Sequence, residues 1–123
     1  YGTEELLKVA IIMTDGEYNS MYCNGVISTD STTGSGSNND HINCNAPNGH
    51  AFDQATTQCT NMKAAGVIVY TVGFQVVSDP RAQALVANCA TDAAHVYLPA
   101  TGAELKSSFH AIGQEITQLR LAK

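Results

Sequence analysis

Lys8-Val9-Ala10-Ile11-Ile12-Met13-Thr14-Asp15-Gly16 is the stretch on which the fold turns. Its apolar run is continuous rather than alternating, the pattern of a strand covered on both faces, and it stops at Asp-Gly, a pair that favours turns. A strand over 8–14 of this kind belongs in a parallel sheet. The segments that follow supply its neighbours. Val67-Ile68-Val69-Tyr70-Thr71-Val72-Gly73-Phe74 is apolar and largely β-branched, predicting a second central strand, and His95-Val96-Tyr97-Leu98 predicts a third, shorter one.

Between and after these runs the period changes from strand to helix. Phe52, Ala55, Cys59 and Met62 recur at three- and four-residue spacing, and Gly66 follows where a helix needs a left-handed terminator, so a helix is expected over 51–65. Asp79-Pro80 offers an N-cap and a first-turn proline to a short helix that carries Leu85, Val86 and Cys89 on one face. Thr101-Gly102-Ala103-Glu104 has the form of a capping box, and Leu105, Phe109, Ile112, Ile116 and Leu119 give the last helix an apolar stripe.

The order strand, loop, helix, strand, helix, strand, helix implies an α/β architecture: a three-layer, mainly parallel sheet with helices on both faces. Right-handed crossovers put the two connecting helices on one face and leave the other to the final helix. One domain spans 1–123, interrupted at about 17–50 by a long irregular loop rich in Asn, Gly, Ser and Thr. Three strands with so apolar a first member form an incomplete sheet. A neighbour is missing beside strand 8–14, and an unpaired apolar edge invites pairing with a second copy, a homodimer through that edge.

Composition narrows the function. Of 123 residues 44% are hydrophobic, enough for a core, while six Lys and Arg against eleven Asp and Glu, with no basic cluster, exclude a nucleic-acid partner. Tyr1 follows neither an initiator Met nor a signal peptide, so the chain reads as part of a longer protein. Cys23, Cys44, Cys59 and Cys89 form an even set without C-x-x-C, which favours disulfides in an oxidising, extracytoplasmic compartment. Three pairings are open. Cys23 with Cys44 and Cys59 with Cys89 is preferred, because the first closes one loop and the second joins successive helices. The competing reading is a zinc-bearing hydrolase or zinc-stabilised module in which Cys23, His41, Cys44 and His50 hold the metal, although their spacing is not diagnostic. No Gly-x-Ser-x-Gly elbow, phosphate loop or dinucleotide fingerprint occurs, and His95 and His110 read as structural or surface residues; the chain reads as non-enzymatic.

The segment Val9 to Asn19, with Met13-Thr14-Asp15-Gly16-Glu17-Tyr18-Asn19 at its end, resembles the fourth strand of von Willebrand factor A domains. Met62 through Phe74 resembles the next helix and strand, and Cys89-Ala90-Thr91, His95-Val96-Tyr97 and the closing helix resemble the rest of that fold's C-terminal half. The combination of Met13-Thr14-Asp15-Gly16-Glu17-Tyr18-Asn19, the Gln58-Cys59 and Asn88-Cys89 pair and the closing Ile116-Thr117-Gln118-Leu119-Arg120 is similar to TadG-like proteins of tight-adherence (Flp) pilus assembly. The resemblance implies a cell-envelope binding or assembly module from a membrane-anchored parent, with a pilus or envelope protein as partner. It also implies a metal-ion-dependent adhesion site, with Asp15 as one Mg²⁺ ligand and Glu17, Tyr18 and Asn19 in the partner-binding loop. The family's Asp-x-Ser-x-Ser and second-loop Thr are absent; the nearest look-alike, Asp30-Ser31-Thr32-Thr33-Gly34, follows no strand. A hard cation exchanges its hydration shell for several oxygen ligands, so Mg²⁺ is not expected to bind tightly to this chain alone.

Overall fold

The computed structural model describes residues 6–16 and 51–122, together with the backbone of four two-residue strands between them. Strand β1 is Val9–Thr14. The expected loop carries two minimal antiparallel ladders, β2 (Tyr22–Cys23) with β3 (Val26–Ile27) and β4 (Asp30–Ser31) with β5 (His41–Ile42). Helix α1 (Ala51–Ala64), strand β6 (Ile68–Gly73), helix α2 (Pro80–Cys89), strand β7 (Val96–Tyr97) and helix α3 (Gly102–Leu121) complete the chain. The main sheet has the order β1-β6-β7 and is parallel throughout, so β6 is central.

Local chemistry sets each boundary. Gly66 takes φ +80, its N–H donates to the Lys63 carbonyl at 3.0 Å, and the Val67 N–H donates to the Met62 carbonyl at 3.0 Å. This double bond is the Schellman arrangement, and it closes α1 where the glycine predicted. Asp79 caps α2 by accepting from the N–H groups of Arg81 and Ala82 at 3.1 and 3.0 Å. Thr101 caps α3 by accepting from the Glu104 N–H at 3.2 Å. The Glu104 carboxylate, however, accepts from the Ala100 N–H at 2.7 Å, one residue before the cap, rather than from the cap itself.

The register Val9↔Ile68 through Thr14↔Gly73 sorts the side chains into two faces. Toward α1 and α2, Ile12 packs with Phe52, Ala55, Met62 and the buried group Cys59, Leu85 and Cys89. The Cys59–Cys89 disulfide ties the two helices across this layer, as expected from their positions. Toward α3, Tyr70 and Val72 pack against Ile112, with Leu105, Ile116 and Tyr97 around them. Both connecting helices thus share one face and α3 covers the other, the arrangement that right-handed crossovers demand.

His95 departs from expectation. It does not open the third strand but closes a 3-10 turn (Ala93–His95) whose N-cap is Asp92, and Leu98 also falls outside the strand, so β7 keeps only two of the four expected residues. Thr91 compensates: its hydroxyl accepts from the Val69 N–H at 2.7 Å and its own N–H donates to the Val69 carbonyl at 2.9 Å, satisfying β6 backbone before β7 begins.

Candidate strand-tip site

Because all three strands of the main sheet run the same way, their C-terminal ends gather on one side, where open α/β sheets place their ligand crevices. The Thr14 hydroxyl donates to the Gly16 carbonyl at 2.7 Å and accepts from the Gly16 N–H at 3.3 Å, a local turn that ends β1. The Phe74 N–H donates to the Thr14 carbonyl at 2.9 Å and carries the ladder to its last rung. Asp15 projects from this turn and is exposed.

The tip of β6 is built to closer tolerance. A Cβ on Gly73 would stand 2.7 Å from Val76 Cγ2 and 3.0 Å from Leu98 Cδ2, so glycine is what lets these side chains fold over the strand end. Gln75 then adopts φ 56, a left-handed conformation that non-glycine residues seldom take. It is held there by its N–H to the Pro99 carbonyl at 3.0 Å and by Nε2 to the Ala100 carbonyl at 3.3 Å. Gln83 adds a bond from Nε2 to the Val76 carbonyl at 2.9 Å. The result is a rigid turn that presents Val77, 68% exposed, and Leu98, 45% exposed. The sequence places Leu98 at the end of the third strand and gives Val77 no period at all, so neither is marked there as an exposed tip residue.

The described residues do not fit a Mg²⁺ site. Among them no group of three His, Cys, Asp or Glu side chains is arranged to hold a metal ion. Asp15 brings a single carboxylate, and the Thr14 hydroxyl beside it is engaged with Gly16. Glu17, Tyr18, Asn19, Cys44 and His50 lie outside the described residues, as do the side chains of Cys23 and His41, so both the partner loop and the zinc set fall there.

A second polar cluster lies away from the tip. The Nδ1 of buried His95 sits 2.7 Å from Asp92 Oδ1 and its Nε2 3.5 Å from Glu115 Oε1. Its ring meets Tyr70 edge-on with centroids 4.5 Å apart. The Tyr70 hydroxyl is buried without a hydrogen-bond partner among the described residues. Burial first, then the Glu115 and Tyr97 fields and a side-chain approach of Glu115 that falls short of a formed hydrogen bond, push its phenol up to about 12, and burial and Glu115 likewise raise Tyr97. The only hint of this cluster in the sequence is the three-residue spacing of Asp92 and His95; its other members come from three separate elements. Its role is structural, joining the 3-10 turn, β6 and α3.

The geometry can be compared with solved structures. The vWF domain of the type V pili tip protein Mfa5 from Porphyromonas gingivalis superposes with a TM-score of 0.51 and 26% identity over 55% of this chain and 23% of that one. The chain has a von Willebrand factor A-like fold. The pilus adhesin SpaC from Lactobacillus rhamnosus GG shares the fold, with a TM-score of 0.57 and 15% identity over 89% of this chain and 16% of that one. The chain thus spans less than a quarter of either neighbour. No family model matches the sequence, and neither does any curated protein. In the von Willebrand factor A-like frame β6 is an interior strand, β1 lies at the border of the described sheet, and Asp15 stands at the tip of that border.

Proposed function

We propose that this chain is part of a non-enzymatic binding or assembly module of a bacterial surface-pilus system, working outside the cytoplasm. The observation that carries the reading is the strand-tip surface. A parallel sheet directs Asp15, Val77 and Leu98 to one end, and the turn at Gln75 is fixed by bonds from three directions, so the surface is ordered before any partner arrives. Both solved neighbours are pilus proteins by their descriptions, and the buried Cys59–Cys89 cystine suits an oxidising compartment.

Within that role a protein partner engages the strand tips and the loop that carries Glu17, Tyr18 and Asn19, and the parent protein is membrane-anchored. The TadG-like, tight-adherence assignment rests on the sequence resemblance. Asp15 becomes a Mg²⁺ ligand only when hydroxyl and carboxylate ligands from outside this chain complete the shell. The deciding experiment deletes the segment in frame in the organism that carries it and counts surface pili by electron microscopy alongside adherence. Loss of pili or of adherence is expected; unchanged piliation together with unchanged adherence overturns the reading.

A further inference from the structure

At the tip of β6 residue type and backbone conformation disagree. Gln75 has φ 56, a region that glycine enters freely and a residue with a Cβ does not. A residue persists in such a conformation where its surroundings over-determine it, and positions of this kind cluster at functional sites. Here both determining bonds lead to the loop that follows β7. The Gln75 N–H donates to the Pro99 carbonyl at 3.0 Å and its Nε2 to the Ala100 carbonyl at 3.3 Å. Glycine would offer the same N–H without the strain; only the second bond needs a glutamine. Each of the two loops also has an anchor of its own. The Val76 carbonyl accepts from Gln83 Nε2 and from the Asp79 N–H, each at 2.9 Å, which fastens the loop after β6 to α2. The Ala100 N–H donates to the Glu104 carboxylate at 2.7 Å, which fastens the loop after β7 to α3. Gln75 joins the two.

We infer that Gln75 is a positioning residue for partner engagement: its side chain ties the loop after β6 to the loop after β7, so that both meet a partner as one preset surface. The role rests on the binding-module reading and deepens it by naming the residue that keeps the two strand-tip loops in register. Preorganisation of this kind strengthens binding by removing the cost of ordering two loops at the moment of contact. It also separates from stability. The Nε2 bond is exposed, so its loss and the relief of left-handed strain act on folding in opposite directions and nearly cancel. A residue that served only the scaffold would lower stability and binding together.

Gln75→Gly, which removes the side chain, and Gln75→Asn, which tolerates the left-handed region but is shorter by a methylene group, test this in the chain as the organism makes it. Thermal unfolding of both variants should match or exceed wild type, and hydrogen-exchange mass spectrometry should find the β6 peptides unchanged. Peptides covering 74–79 and 98–101 should exchange several-fold faster, and piliation or adherence should fall several-fold. Wild-type exchange in both loops overturns the inference, as does wild-type piliation and adherence in both variants, or a functional loss that comes with lower thermal stability. The binding-module reading is judged apart from it. An in-frame deletion of the segment that leaves piliation and adherence unchanged sinks that reading, whereas a deletion that abolishes either, beside point variants that do not, sinks only the role of Gln75.

Discussion

Tyr70→Phe isolates a single misfit among the described buried side chains. The side chain is 0% exposed, sits at the centre of β6 and packs against His95 and Ile112, yet its hydroxyl has no hydrogen-bond partner among the described residues. A buried hydroxyl without a partner costs about 1–3 kcal/mol, while the ring that makes the packing contacts is the same in phenylalanine. The substitution should therefore raise stability at pH 7 by about 1–2 kcal/mol, or about 4 °C in Tm for a domain of this size. The pH dependence supplies an independent check. Folding pushes the phenol from 10.0 up to about 12, so the folded protein keeps a proton that the unfolded chain gives up. The sign follows: this contribution is fully present below pH 10 and is lost as pH rises toward 12. Two pKa units correspond to about 3 kcal/mol across that window. Urea midpoints of wild type and Tyr70→Phe at pH 7 and at intervals from 9.5 to 11.5 measure both effects. The variant should start higher and fall less steeply, its remaining alkaline slope including Tyr97, which burial and Glu115 also raise. A variant destabilised at pH 7, or one with the wild-type alkaline slope, would refute the reasoning.

Other perturbations test other parts of the structure. Replacing Cys59 and Cys89 together by Ser removes a cross-link that spans 30 residues and should cost about 3 kcal/mol or more in urea unfolding. Gly73→Ala drives a methyl group to 2.7 Å from Val76 and 3.0 Å from Leu98; a loss of about 1–3 kcal/mol is expected by thermal unfolding, and a neutral result would show that the tip turn is looser than described. Calorimetric titration with Mg²⁺ should give no tight stoichiometric binding, and Asp15→Ala should change nothing; tight binding that survives the substitution would put the metal elsewhere. Thiol titration and metal analysis of the purified chain decide between cystine and zinc for Cys23 and Cys44, with no free thiol and no stoichiometric zinc expected.

The sequence alone determined the element types, their order, the parallel sheet and the faces its helices cover, because those follow from short-range periodicity, from capping residues such as Asp79 and Thr101, and from the handedness of crossovers. It also singled out the Cys59–Cys89 pairing, since both cysteines fall on successive helices that share a face. Tertiary structure decided what periodicity cannot encode. His95 left the strand for a 3-10 turn because Asp92 caps that turn and accepts from the Ala94 N–H. Tyr70, Asp92, His95, Tyr97 and Glu115 became neighbours only when β6, β7 and α3 closed on one another. The left-handed Gln75 and the close approach of Leu98 over Gly73 likewise depend on contacts between segments more than 20 residues apart in sequence, with Gln83 of α2 adding a shorter-range bond to the same turn. Local chemistry chose the segments and their order; packing between distant segments chose which side chains meet and which remain exposed for a partner.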